Sequence, residues 1–148
     1  MDKFIKRAIS LAYLANDHQE FPVGAVVFKN DITLGEGYNQ KEGSNDPSGH
    51  AEILALRQAA HHQGDWRLTG ASLVTTLEPC PMCLGAILQS RIKTVIYLAK
   101  DIRWGACGSV MDFSHHPKLN HRCELLYRPN DEVVQMMKDF FKVRRLKK

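Results

Sequence analysis

Apolar side chains recur at helical spacing near both ends of the chain. Positions three or four residues apart, which share one face of a helix, are apolar at Phe4, Ile5, Ala8, Leu11, Ala12 and Ala15. Within residues 131–145, a single stripe holds Val133, Val134, Met137, Phe140 and Phe141. The pattern predicts one amphipathic helix at the start of the chain and another at its end.

Between these helices, short apolar runs alternate with polar and glycine-containing segments. Five runs have the length and composition of strands: 23–29, 32–39, 71–76, 94–98 and 124–127. Helices are predicted over 51–60, which is apolar almost all round and therefore buried, over 80–90, and over the shorter segment 110–115. The polar segment 40–49 is predicted to be a loop.

The order of these elements predicts a three-layer α/β/α sandwich, in which helices flank a five-stranded mixed sheet. A helix between the last two strands indicates that these strands run parallel, because parallel neighbours need a long crossover connection. A chain of 148 residues has the usual size of one domain, and the sequence contains no repeat or linker. We therefore expect a single domain over residues 1–148.

Composition restricts the partners and the compartment. The net charge of +4 permits nucleic-acid binding without requiring it. Four cysteines, two of which belong to a motif described below, argue against a disulfide framework and predict a reducing compartment, the cytoplasm. No apolar run approaches the length of a membrane span, and the first residues lack the pattern of a signal peptide. We expect no membrane partner.

One pair of motifs indicates the chemistry. His50-Ala51-Glu52 is followed by Pro79-Cys80 and, three residues after Cys80, by Cys83. The pattern H-x-E … P-C-x-x-C is typical of zinc-dependent nucleoside and nucleobase deaminases. One imidazole and two thiolates leave the fourth position of a tetrahedral zinc ion open for water, as catalytic sites require. The motif predicts one zinc ion per chain, bound by His50, Cys80 and Cys83.

Glu52 is the predicted catalytic residue, which carries protons between the zinc-bound water and the leaving amine. The helix dipole also stabilises the negative charge of a glutamate in the first turn, but that role does not explain the spacing of Glu52 to the ligands. A C-x-x-C pair alone also occurs in structural zinc sites and redox motifs. Cys107 and Cys123 form no second C-x-x-C pair, and a redox role would leave His50 and Glu52 without a function.

Longer segments, from Phe4 to about Arg145, resemble the bacterial tRNA-specific adenosine deaminases. Four of them are shared by many deaminases: PVGAV at 22–26, GEGYN at 35–39, DPSGHAE at 46–52 and TLEPC at 76–80. More discriminating are GACGS at 105–109, HP at 116–117 with NHR at 120–122, and FFKVRR at 140–145. The chain departs from the family pattern at Gly49, where Ala is usual, at Arg103, where Lys is usual, and at Trp104.

The resemblance implies a cytidine-deaminase-like fold and deamination of the wobble adenosine of an arginine tRNA to inosine. It implies a homodimer in which both chains shape the RNA site, and no organic cofactor. By the same resemblance, Asn39 lines the pocket and hydrogen-bonds the flipped base, and Ala51 offers its backbone N–H group to that base. Asp101 contacts a neighbouring ribose, and Arg103 lies beside the path of the anticodon stem-loop.

The end of the chain is basic, with one acid, Asp139, among its last eleven residues. A charged helix tail is usually only solvated. The match at 140–145 favours instead an edge that binds tRNA phosphates, with Arg144 and Arg145 as its predicted contacts.

Two alternatives belong to other functional classes. A deaminase of free guanine, cytosine or a nucleoside would have the same zinc motif; the discriminating segments and the basic C-terminus speak against it. A non-catalytic RNA-binding subunit is expected to lack the shuttle carboxylate, yet Glu52 is present.

Overall fold

The computed structural model describes the backbone of residues 1–146 and the side chains of residues 1–144. The predicted strands are confirmed, each shortened by at most one residue at either end. In chain order the elements are α1 (Asp2–Asp17), β1 (Gly24–Lys29), β2 (Ile32–Tyr38), α2 (Lys41–Ser44), α3 (Ala51–Gln63), β3 (Ser72–Thr75), α4 (Pro81–Gln89), β4 (Thr94–Tyr97), β5 (Glu124–Tyr127) and α5 (Asp131–Leu146).

The five strands form one mixed sheet in the order β2-β1-β3-β4-β5. β1 pairs antiparallel with both β2 and β3, whereas β3, β4 and β5 run parallel to one another. The predicted five-stranded mixed sheet and the parallel pairing of the last two strands are confirmed.

Glycines on β1 and β2 show which helix covers which face of the sheet. Gly24 faces α1, because a Cβ atom added there would overlap the backbone of Ala8. Gly37 faces α3, because a Cβ atom there would lie 2.8 Å from the carbonyl oxygen of Ala51. Gly37 pairs with Ala25, the neighbour of Gly24, and successive residues of a strand face opposite sides. Thus α1 and α3 lie on opposite faces, and the predicted α/β/α sandwich is confirmed.

The predicted helix over 110–115 is wrong. The segment contains turns and an isolated bridge between Cys107 and Asp112. The Asp112 carboxylate accepts hydrogen bonds from the backbone N–H group of Ser114, at 2.8 Å, and from its hydroxyl group. Local bonds of this kind compete with helix formation. The connection from β4 to β5 is therefore long without being helical, and its length is sufficient for parallel pairing.

The segment 40–49, predicted to be a loop, contains the one-turn helix α2. Two of its N–H groups, at Glu42 and Gly43, donate to the buried carboxylate of Glu20 at 3.0 and 2.7 Å. Asn45 ends the helix in the left-handed conformation, with a φ of 47°. Because Glu20 lies 22 residues before Glu42, the local sequence contains no signal for this helix.

The close approach of β2 to α3 leads to the first prediction. Gly37→Ala should lower the free energy of unfolding by about 1–3 kcal/mol, because the added methyl group overlaps the helix backbone. Gly85→Ala is the matched control, since Gly85 lies in α4 with nothing within 4 Å of its added Cβ atom. Gly85→Ala should raise the free energy of unfolding by up to about 1 kcal/mol, because alanine favours the helix more than glycine does. Urea denaturation measures both; an unchanged Gly37→Ala protein would contradict the packing argument.

Candidate active site

The helices α3 and α4 begin close together, and a predicted metal ligand precedes each of them. His50 precedes α3 and Cys80 precedes α4, both with extended backbone angles. Neither side chain caps its own helix, so the imidazole and the thiol face a common point. Cys83 lies in the first turn of α4 and is buried. Helix N-termini stabilise negative charge, which favours thiolates at these positions.

The three predicted ligand atoms have the spacing of a tetrahedral zinc site. His50 Nδ1 lies 3.4 Å from Cys83 Sγ and 3.6 Å from Cys80 Sγ. All three ligand atoms lie within 4.8 Å of one another. Zinc bonds of about 2.0 Å to nitrogen and about 2.3 Å to sulfur, at tetrahedral angles, would separate nitrogen and sulfur by about 3.5 Å. The donor atoms and their distances therefore fit a zinc ion with three protein ligands.

The protonation of these groups depends on their mutual contacts. Hydrogen bonds from Cys83 and His50 lower the pKa of Cys80 to about 4, although burial opposes the shift. The hydrogen bond to Cys80 and burial raise the pKa of Cys83, and the contact with Cys80 raises the pKa of His50. Cys80 is thus the first thiolate of the pair. A metal ion requires deprotonated cysteines and a neutral imidazole, so its binding would release the remaining protons.

A structural zinc site would normally need a fourth protein ligand. Within residues 1–144, His50, Cys80 and Cys83 are the only three such groups that converge on one point. The other two cysteines, Cys107 and Cys123, are buried outside this cluster, and burial raises the pKa of Cys123 to about 11. The arrangement keeps one coordination position open, which is the requirement for catalysis rather than for structural support.

Glu52 lies beside the ligands without belonging to them. Glu52 and His50 line a common cavity, and only 4% of Glu52 is exposed. Burial raises the pKa of Glu52 to about 7. A carboxyl group with a pKa near neutrality can both accept and donate a proton, which is the property that a proton shuttle needs.

A cavity of about 580 Å³ opens over the cluster. Of the residues predicted from the sequence, it is lined by His50, Cys80, Glu52, Asn39, Asp101 and Arg144. Lining residues that sequence reasoning missed include Phe21, Lys41, Met82, Trp104, Phe140 and Phe141. They come from five separate segments of the chain, and no local motif marks them as neighbours. For Trp104, the departure from the family pattern was the available signal.

Asn39 and Ala51 contact each other rather than presenting two independent groups. The Ala51 N–H group donates to Asn39 Oδ1 at 2.9 Å. Ala51 is fully buried and does not line the cavity. Its N–H group, predicted to reach the base, already has a partner within the chain. Asn39 lines the cavity, and within the described residues its amide nitrogen makes no hydrogen bond.

The segment after β4 places Asp101 and Trp104 at the cavity but not Arg103. Asp101 Oδ1 accepts the N–H groups of Arg103 and Trp104 at 3.0 and 3.2 Å, which forms a tight turn. The Arg103 guanidinium lies outside the lining, 5.8 Å from the ring centre of Phe141. Its position is therefore next to the cavity rather than within it.

Aromatic contacts bring α5 to the same cavity. Phe21 packs against Phe140 and Phe141, with ring centres 5.3 Å apart in both pairs. Arg144 lines the cavity, and its guanidinium lies 4.9 Å from the ring centre of Phe140. The side chain of Arg145, also predicted to contact RNA, lies outside the described residues.

Comparison with known proteins agrees with this geometry. Residues 1–99 match the family model described as the cytidine and deoxycytidylate deaminase zinc-binding region. The chain belongs to this deaminase family. The predicted zinc cofactor and the enzyme class, a zinc-dependent hydrolase, are confirmed.

Individual relatives of the deaminase differ in what they act on. This chain is 41% identical over 149 residues to the tRNA-specific adenosine deaminase of Haemophilus influenzae. The aligned region covers 99% of this chain and 86% of the relative. A structure from studies of A-to-I editing at the wobble position of transfer RNA is 35% identical with a TM-score of 0.82, over 85% of this chain and 97% of that one. The structure of the guanine deaminase of Bacillus subtilis is 33% identical with a TM-score of 0.65. The match covers 95% of this chain and 93% of that one. The recognised resemblance to the tRNA-specific enzymes is confirmed.

Two further expectations concern the rest of this deaminase. The four cysteines are free, and Cys107 and Cys123 are buried, as expected without a disulfide framework. No helix in the part of the chain that the structure describes is long and apolar enough to span a membrane.

The metal geometry leads to the second prediction. Cys83→Ala should lose most of the bound zinc, because only two of the three predicted ligands remain. Cys123→Ala is the matched control, since it removes a buried cysteine outside the cluster and should retain full zinc content. Elemental analysis of purified proteins measures both. Full zinc occupancy in Cys83→Ala would exclude this ligand assignment.

Proposed function

We propose that this deaminase converts the wobble adenosine in the anticodon loop of an arginine tRNA to inosine, with release of ammonia. The main support is that one cavity combines a metal-binding cluster with exposed groups suited to single-stranded RNA. Trp104, 67% exposed, and the exposed Arg144 lie on the same cavity as Glu52. Aromatic rings and cations of this kind bind unpaired bases and phosphates. The relative named tRNA-specific adenosine deaminase supports the same substrate.

In the proposed reaction, His50, Cys80 and Cys83 would hold zinc. When bound there, zinc would supply a nucleophilic water at neutral pH, for attack on C6 of the adenine. Glu52 accepts a proton from that water, delivers it to the ring nitrogen, and then protonates the departing amine. Its pKa of about 7 supports both directions of transfer. The anticodon base is already unpaired, so moving it into the cavity costs little.

Asn39 is the proposed contact for the flipped base. Its side-chain oxygen accepts the Ala51 N–H group, which fixes the orientation of the amide. The amide N–H₂ group then remains available as a donor to an acceptor nitrogen of the purine. In this proposal Ala51 acts by orienting Asn39.

The remaining contacts extend along the RNA. We propose that Asp101 binds a ribose beside the target and that Arg103, Arg144 and Arg145 bind phosphates. The anticodon stem-loop would be shared by two copies of the chain in a homodimer, as the resemblance implies. One core cluster that runs from Phe4 to Met137 supports a single deaminase domain over the chain. A cytoplasmic location remains a prediction.

A second candidate is deamination of a free base of the guanine or cytosine type. The 33% identity to a guanine deaminase over most of both chains favours it. The floor of the cavity would serve either substrate, because the metal cluster and Glu52 act on the ring alone. A neutral free base has no use for the Arg144 cation at the cavity, and this observation favours RNA.

The third prediction separates metal binding from proton transfer. Glu52→Gln should retain zinc and fold, because Glu52 is not one of the three ligands and the substitution preserves its buried volume. Inosine formation in a stem-loop with a wobble adenosine should fall by about 10²–10⁴-fold or more. Single-turnover measurements of inosine formation, together with zinc analysis of the same protein, test this prediction. Near-normal turnover would exclude Glu52 as the shuttle.

The fourth prediction tests the substrate class through salt. Arg144→Gln should weaken binding of the stem-loop and reduce the slope of log affinity against log salt by about 0.7, the value for one lost single-strand phosphate contact. Arg67→Gln, an exposed arginine paired with Asp65 and outside the cavity, is the control and should leave the slope unchanged. Salt-insensitive binding together with turnover of free guanine or cytosine would replace the tRNA proposal by the second candidate.

A further inference from the structure

Glu78 is a buried carboxylate immediately before the metal-ligand turn. Only 2% of the residue is exposed, although its position in a loop predicts a solvated side chain. Burial of a carboxylate is costly unless hydrogen bonds replace its lost hydration. No lysine or arginine side chain described in the structure pairs with it. Its stabilisation therefore comes from neutral donors.

All of those donors belong to the segment 101–109, which we call the rim loop. Glu78 Oε1 accepts the Asp101 N–H group at 3.1 Å and the hydroxyl group of Ser109. Glu78 Oε2 accepts the Cys107 and Ser109 N–H groups at 2.9 and 3.1 Å. Gly105 lies directly against the carboxyl group, where any Cβ atom would overlap it. The rim loop is thus folded around this one side chain.

The rim loop contributes two residues to the cavity, and the position of both depends on this anchor. The backbone of Asp101 is bonded to Glu78, and the Asp101 side chain in turn holds the N–H group of Trp104. The Trp104 side chain is largely exposed, so packing does little to fix it. The location of its ring over the cavity follows from the backbone of the rim loop.

We propose that Glu78 is a positioning residue that fixes the rim loop so that Asp101 and Trp104 contact the nucleotide beside the deaminated base. This role rests on the proposed function, because a free base has no neighbouring nucleotide. Asp101 would accept a ribose hydroxyl, and the Trp104 ring would stack on an unpaired base, a contact available to every base type. Glu78 itself acts through the loop and touches neither the metal nor the target ring.

Glu78→Gln tests this role with minimal change in size. An amide nitrogen donates and cannot accept, so glutamine cannot satisfy both pairs of donors. If its oxygen keeps the Cys107 and Ser109 N–H groups, the Asp101 N–H group faces another donor. We expect KM for the stem-loop to rise about tenfold, the size of one lost bond to a charged group, with kcat and zinc content retained. Hydrogen exchange of the rim-loop amides should accelerate, and exchange in α3 should not.

Two further variants complete the design. Ser109→Ala removes one donor from the same carboxylate at an exposed residue, and it should shift KM and rim-loop exchange in the same direction by a smaller factor. It also tests the proposal if Glu78→Gln does not fold. Glu36→Gln is the control, because Glu36 lies on β2 outside the cavity and accepts two hydrogen bonds from Arg7 of α1. It should leave KM and rim-loop exchange unchanged.

The possible outcomes separate this inference from the proposed function. Unchanged KM and unchanged exchange in both rim-loop variants would overturn the positioning role while wild-type turnover of RNA still supports the function. Loss of zinc or of kcat in the folded variants would also overturn it, because Glu78 would then support the metal centre. A zinc-loaded wild-type protein that is inactive on every stem-loop would overturn the proposed function, and this role with it.

Discussion

The site depends on two helix N-termini that point at one place. His50 and Cys83 are 33 residues apart in the chain, yet their ligand atoms lie 3.4 Å apart because α3 and α4 begin side by side. The sheet produces this arrangement, since α3 packs on β2 through Gly37 and α4 follows directly from the central strand β3. The helix dipoles at both starts favour the thiolate form of the cysteines. The positions of the metal ligands therefore depend on how the sheet places α3 and α4.

Three buried glutamates lie around the cavity. Their hydrogen-bond partners give them different roles. Glu20 accepts two backbone N–H groups and shapes α2, while Glu78 accepts three, with a hydroxyl group, and shapes the rim loop. At Glu52, burial outweighs the hydrogen bonds that the carboxylate receives, and its pKa rises to about 7. The two anchored carboxylates stabilise the walls of the site, and the third is left able to exchange protons.

The floor and the rim of the cavity have different roles in the proposed reaction. The ligand cluster and Glu52 act on an amino group of a ring, and this chemistry is common to deaminases of bases and of RNA. The rim is built from Trp104, Phe140 and Arg144, which come from a loop and from α5. In the proposed function, the contacts that distinguish RNA from a free base lie at this rim, because a free base does not extend beyond the ring that is deaminated.

Local sequence determined much of this protein. The strands, the long helices and the metal ligands follow from periodicity and from short motifs, because neighbouring residues set hydrophobic faces and helix starts. Particular hydrogen bonds, some local and some between distant segments, decided the rest. Glu20 made a helix of residues predicted as a loop, Asp112 replaced a predicted helix by turns, and Asn39 engaged the Ala51 N–H group. Arg103 lies beside the cavity rather than in it, and Glu78 is buried rather than solvated. Each outcome depends on which donors and acceptors meet in space, and a linear pattern does not contain that information.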